Sequence, residues 1–188
     1  MEIVVQENGV ERRSRDMMKL LRIVMLGCVG ALLLACSPAE NWRVITLYQW
    51  GVTGLIPCKP EEAARTVPFL GQQVQLEMRS CELNGVTYAV AWLPVEDPQK
   101  QAMAWRDWLT ASQASARVQN PKPPQPIQSA GAKQAWRWQG EGRNQRERIR
   151  IEYRYFQDGK WLIQLATYAP LTLNKNFDEF FEGLTLSK

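Results

Sequence analysis

Three pairs of adjacent carboxylates, Glu61-Glu62, Glu96-Asp97 and Asp178-Glu179, are the side chains of this chain best placed to move protons. Two carboxylates can act as general acid and base in glycoside hydrolysis. Against that stands the absence of histidine from the whole sequence. It removes the commonest general base and the commonest metal ligand. Ser-His-Asp and Cys-His nucleophiles go with it, as does every zinc site that uses histidine. A Ser-Lys hydrolase would need a spacing such as Ser-x-x-Lys, and none follows residue 36. Asp97 and Glu179 also have helix-start duties. The reading is therefore non-catalytic, with an unrecognised hydrolase as the third choice; neither a metal nor a cofactor is called for.

Binding chemistry is the better prospect. Arg146, Arg148, Arg150 and Arg154 recur at even spacing and fall on one face of a strand. Such a face could meet anionic lipid headgroups, lipopolysaccharide phosphate or an acidic partner protein. Charge runs are more often solvated faces, here with Glu152 inside a ladder of cross-strand pairs. Trp136 and Trp138 could stack on a glycan or small ligand, although aromatic residues more often fill cores. Four prolines between Asn120 and Pro126 favour an extended, exposed loop, a connector before it is a partner-binding segment.

The four cysteines sort by position. Lys19 and Arg22 precede an apolar run, Ile23 to Leu34, that ends in Leu33-Leu34-Ala35-Cys36. A basic n-region, an apolar h-region and a small residue before the cut have the order of a secretory signal. The run is 12 residues long, whereas a spanning helix needs about 20. With the cysteine directly after the small residue, the segment resembles a bacterial lipoprotein signal with its lipobox. That resemblance implies cleavage before Cys36 and acylation of Cys36 with palmitate-type chains. Ser37 in the next position then favours the outer membrane, facing the periplasm. Cys28 would be discarded with residues 1–35. Residues 1–16 mix acidic and basic side chains, unlike a signal start; a start codon placed too far upstream is the first reading and a genuine long n-region the alternative. Cys58 and Cys81 remain, an even pair in an oxidising compartment, and are expected to form a disulfide. Closing about 23 residues, it would contribute about 3 kcal/mol by loop entropy.

Residues 36–41 form a lipidated tether, under about 20 Å at full reach, and residues 42–188 are enough for one domain with its own core. The net charge of the chain is +4, a mild bias that does not argue for nucleic acid. The sequence leaves the oligomeric state open.

The elements follow from periodicity and turn chemistry. Trp42–Trp50 and Gly51–Pro57 read as early strands, the first also compatible with a short helix; Arg65–Leu70 is an edge strand because of Pro68. Asn84-Gly85 splits Val74–Leu93 into a hairpin. Asp97 caps a helix that Pro98 begins and that runs to about Arg117. Lys133–Gln139 is a strand, Gly140–Asn144 a loop, and Arg146–Phe156 a strand with Ile149, Ile151, Tyr153 and Tyr155 opposite the arginines. A three-residue turn, Gln157-Asp158-Gly159, then pairs Tyr155 with Trp161 and Tyr153 with Ile163, apolar against apolar. Asn176 and Glu179 resemble a capping box before Phe177, Phe180, Phe181 and Leu184. Gly183 ends that helix and Leu184–Leu186 form a last strand.

Antiparallel strands with helices give α+β, with one main helix and a short C-terminal helix packed on one face of the sheet. The motifs Ile56-Pro57-Cys58-Lys59-Pro60, Tyr88-Ala89-Val90-Ala91 and Phe177-Asp178-Glu179-Phe180-Phe181, in that order, look like those of small proteobacterial envelope proteins and, more distantly, the PsbP-like sandwich. That resemblance implies an accessory or interaction module. The expectation is a lipid-anchored envelope protein that binds or scaffolds another periplasmic or outer-membrane component. A small ligand- or glycan-binding module is the alternative.

Overall fold

The computed structural model describes residues 40–49, 51–129, 131–145 and 147–186. The segment expected to carry the signal, Cys36 and most of the tether lies outside them, as do Trp50 and Arg146.

Glycine and proline punctuation divides the described chain into nine strands and two helices. In order they are β1 (Arg43–Thr46), β2 (Thr53–Ile56), β3 (Glu61–Phe69), β4 (Gln72–Leu83), β5 (Val86–Pro94), α1 (Pro98–Ser115), β6 (Gln125–Ile127), β7 (Gln134–Arg143), β8 (Arg148–Asp158), β9 (Trp161–Pro170) and α2 (Asp178–Glu182). β1 and β2 make a two-stranded ribbon. The others form a seven-stranded sheet in the order β3-β4-β5-β9-β8-β7-β6, antiparallel throughout. The α+β class follows directly.

Local chemistry accounts for several joints. Asn84 and Gly85 both take positive φ, 53° and 76°, the conformation a two-residue hairpin needs. Asp97 accepts a hydrogen bond from Gln99 N–H at 2.9 Å, and Pro98 fills the first helical position. The helix stops at Ser115 because Arg117 turns left-handed (φ 52°). Pro68 sits on an edge strand, where its missing N–H leaves no ladder bond broken. That strand starts four residues earlier than Arg65, since Glu61 to Ala64 also pair with β4.

The helices lie on opposite faces of the sheet, not on one. α1 packs Ala104, Trp105, Trp108 and Leu109 against Ala89, Ala91, Leu93, Ile151, Tyr153 and Tyr155. α2 and the β1–β2 ribbon pack Phe180, Phe181, Ile45 and Ile56 against Tyr88, Val90, Trp92, Phe156 and Ile163. A central strand is therefore buried on both sides: β5 and β9 are apolar almost throughout. This overturns the expected β8–β9 register. Tyr155 pairs with Gln164 and Tyr153 with Ala166, and Asp158 and Trp161 flank a two-residue turn, Gly159-Lys160. When both faces are apolar, matching apolar against apolar cannot choose a register.

Gly140 and Gly142, expected in a loop, continue β7. A Cβ on Gly140 would come within 2.6 Å of the Trp138 ring, and one on Gly142 would meet the Ala116 carbonyl. Their missing side chains let Trp138 fold back over the strand and let the end of α1 approach, where Arg143 N–H donates to Ala116 O at 2.8 Å. At the other terminus α2 is a single short helix. Asn176 Oδ1 accepts from Asp178 N–H at 2.8 Å, but Glu179 shows no reciprocal bond to the Asn176 backbone, and Phe177 is the capping residue. In place of a last strand, Thr185 makes an isolated bridge to Thr53.

Cys58 and Cys81 are disulfide-bonded, with Cα atoms 6.0 Å apart. The bond ties the end of the ribbon to the middle of the hairpin. Among the described residues, no helix is long and apolar enough to cross a membrane.

Candidate functional site

The alternation of β8 places Arg148, Arg150, Glu152 and Arg154 on the face opposite α1, and that face is largely covered. Glu152 is its centre, 7% exposed. It accepts from Arg154 Nε at 2.8 Å, Arg137 Nη2 at 3.1 Å and Gln139 Nε2 at 2.5 Å. Arg154 also reaches Asp178 at 3.3 Å and lies over the Phe181 ring. Arg150 lies over Phe177 and donates to the Lys175 carbonyl at 2.9 Å. Among the described arginines of this face only Arg148 is well exposed, and it pairs with Glu141. Arg150 and Arg154 thus anchor α2 and the segment that leads into it.

What stays open beside them is a cleft of about 600 Å³, bordered by Lys122, Arg137, Arg150, Glu152, Lys175 and Asp178. Several of its charges are paired. Lys175 pairs with Glu40. The Asp178 carboxyl is held below its usual range by the Asn176 side-chain bond first, and then by Arg154. Glu152 and Asp178 are two carboxylates in one cleft, but both are held by Arg154. The other acidic pairs are dispersed. Glu62 bridges to Arg79 at 3.0 Å, Glu96 to Lys160 at 2.8 Å, and Asp97 caps α1.

Trp136 and Trp138 share the α1 face, as their spacing predicts. Trp138 is 1% exposed, stacks on Tyr153 and donates to the Lys122 carbonyl at 2.9 Å. Trp136 is half-buried, with Trp105 stacked on it at 4.2 Å. Both rings pack within the protein, and a shared solvent-facing platform is not formed. Only Trp136 borders a shallow hollow, under Pro121 to Pro124. The proline segment therefore lies along the aromatic layer, and its end forms β6.

A second concavity combines residues that no single motif could reveal. α1 lies over the middle of the sheet and covers the same face of β3 and β4 only in part. The result is an apolar groove of about 410 Å³ between the helix and the sheet. Val67, Phe69, Leu76, Met78, Leu93 and Trp108 line it. At its floor Gln164 donates to Ser112 Oγ at 2.8 Å and to Tyr155 Oη at 2.5 Å. Burial pushes the Tyr155 phenol above its ordinary value, and the bonds to Ser112 and Gln164 pull it partway back. Tyr153 and Tyr168 are raised as well, again by burial first. These are neutral hydroxyls at neutral pH. Arg65 and Arg143 border the groove. Both are exposed, no carboxylate lines the groove, and neither arginine has an ion pair among the described residues. The sequence reading missed this site because β3, β4, β5, β9 and α1 each contribute one or a few residues to it.

The fold and site together define an antiparallel α+β domain, disulfide-tied, with an apolar groove on one face and a polar, charged cleft on the other. The chain matches no protein-family model and no curated protein.

Proposed function

We propose that this chain is a non-catalytic, lipid-anchored envelope protein that binds another component of the periplasm or outer membrane, and that it binds through the groove beside α1. The observation that carries this reading is the contrast between the two concavities. Arg150 and Arg154 of β8 are engaged by α2 and the segment before it, whereas Arg65 and Arg143 have no ion pair among the described residues and border a partly covered apolar groove. Patches of that kind mark binding sites more often than plain surface does. The engagement of Glu152 by three donors supports a structural use of the carboxylates rather than a catalytic one. Helix, sheet, and helix with ribbon follow one another as layers, which supports the PsbP-like sandwich and its character as an interaction module.

A second reading, a small ligand-binding module, is favoured by the groove's volume, which falls in the range of about 300–1,000 Å³ typical of ligand sites. The glycan version loses support, because Trp138 is buried and Trp136 is already stacked.

Two measurements test the proposal. The intact mass of detergent-extracted native protein is expected to begin at Cys36, carry three acyl chains, and rise by two hydrogens on reduction. A full-length unmodified mass from cells able to process lipoproteins would refute the anchor. Photocrosslinking in cells, with the reactive residue at Val67 or at Arg148 of the full chain, tests the surface. Adducts from position 67 and not from 148 are expected; the reverse result would return function to the arginine face.

A further inference from the structure

We infer that the groove between α1 and β3–β5 is a site for a single-chain amphiphile with an anionic head, such as a long-chain carboxylate. This rests on the groove reading above and names its ligand class.

The argument has three parts. First, both walls of the groove supply apolar side chains, with Ser112 and Ser115 as the polar positions of the helix wall. The groove follows the second half of α1, from Phe69 edge-on to Trp108 to Arg143, whose N–H donates to Ala116 O. β3 supplies Arg65, Val67 and Phe69 at alternate positions, so one strand lays two apolar side chains and a cation along it. A flexible chain without polar atoms fits such walls, and each methylene it buries strengthens binding about fourfold.

Second, the charge at the groove has one sign. Elsewhere on the sheet four guanidiniums are paired with carboxylates: Arg79 with Glu62, Arg137 and Arg154 with Glu152, and Arg148 with Glu141; Arg150 is instead taken up by the Lys175 carbonyl and the Phe177 ring. Arg65 and Arg143 have no such partner among the described residues, and the lining holds no acidic side chain. A neutral chain would leave that cationic bias unused, and a cationic one would be repelled. An anionic head group completes the pattern, with bidentate donors ready for a carboxylate or phosphate.

Third, the polar floor is already satisfied. Ser112, Gln164 and Tyr155 bond to one another, so they neither require a polar ligand nor suffer when an apolar one covers them. Buried groups that are paired among themselves can accept a hydrocarbon neighbour without an unmet hydrogen bond.

The test uses the full chain in its membrane. Diazirine-bearing tetradecanoate and its methyl ester are photolysed separately with the wild type and with a double variant, Arg65→Gln with Arg143→Gln, and adducts are mapped by mass spectrometry. Both arginines are exposed, so the variant keeps the fold, and a matched melting temperature verifies it. The expected result is labelling of the β3, β4 and α1 peptides by the acid, reduced about tenfold in the variant, with ester labelling weaker and insensitive to the substitutions. Competition by an unlabelled single-chain phosphate amphiphile, set against unlabelled tetradecanoate, tells which head group is preferred. Equal labelling by acid and ester, unchanged in the variant, overturns the anionic assignment while leaving a groove that binds. Adducts confined to other surfaces overturn the site itself. The position-67 crosslink to a protein partner is scored independently, so failure here and failure of the proposed function remain distinguishable.

Discussion

Replacing Glu152 with glutamine separates a buried ion network from an exposed ion pair on the same strand. Glu152 is 7% exposed and receives Arg154, Arg137 and Gln139. Removing one partner of a buried pair typically costs about 3–5 kcal/mol. Two features reduce that here. The Arg137 side chain is 34% exposed, so water screens part of the loss, and Arg154 keeps Asp178 at 3.3 Å. The amide also sets a donor against donors where the carboxylate accepted. The net expectation is about 2–3 kcal/mol. For a domain of this size each kcal/mol moves the melting temperature by about 2–4 °C, so Glu152→Gln should melt about 4–12 °C lower. Arg148→Gln breaks only the Arg148–Glu141 pair, whose side chains are 65% and 51% exposed. Such pairs contribute about 0–1 kcal/mol. Thermal melts by circular dichroism at low and high salt discriminate the two, since salt screens the exposed pair far more than the buried one. Equal losses in the two variants, or a Glu152→Gln protein that melts with the wild type, would refute the account of this face as the mount for α2.

Further expectations concern the packing and the tyrosines. Paired Cys58→Ser and Cys81→Ser substitutions should lower stability by about 3 kcal/mol, read as a shifted urea midpoint, and the wild type should match them once reduced. Gly142→Ala places a methyl against the Ala116 carbonyl and Ile151; we expect a loss of about 1–3 kcal/mol in the same assay, whereas Gly159→Ala, with open space around it, should cost about 1 kcal/mol from its positive φ alone. All five tyrosines, Tyr48, Tyr88, Tyr153, Tyr155 and Tyr168, are raised above their ordinary value by burial. The folded state therefore holds phenol protons that the unfolded chain releases from about pH 10. Their stabilisation is complete below that pH and is lost progressively above it, until the raised native values are passed. Ultraviolet difference titration should show no tyrosinate step in the native protein near pH 10, then cooperative ionisation as it unfolds; five independent titrations there would refute the burial.

Much of the fold was legible because its signals are local. Asn84-Gly85, Asp97-Pro98 and the alternation of Ile149 to Tyr155 each fix structure within a few residues. The Cys58–Cys81 pair was legible from parity, once Cys28 and Cys36 were set aside with the expected signal. What escaped depends on layers. Nothing local says that Phe180 and Trp108 approach opposite faces of one sheet, and once both faces are apolar the β8–β9 register loses its sequence mark. Gly140 and Gly142 read as a loop because their use is steric: they make room for Trp138 and for the end of α1. The arginines of β8 were correctly set on one face, but a strand pattern records side, not cover, and α2 supplies the cover. The groove is the extreme case, because Arg65 and Arg143 are 78 positions apart in the sequence and only the fold brings them to one concavity.

The disulfide has a mechanical meaning as well. A pull applied to the chain at Glu40 meets the β1–β2 ribbon first, and those two strands can peel while the hydrogen bonds of the seven-stranded sheet hold, although the face that Ile45 and Ile56 cover is then exposed. The covalent link at Cys58 then passes the load to Cys81, inside β4, where neighbours on both sides share it. Slack is capped at the stretch from Glu40 to Cys58, about 60 Å when fully drawn out. Under oxidising conditions the ribbon is a shock absorber with a hard stop. Once the thiols are reduced, the stop vanishes and β3 becomes the next strand to unzip.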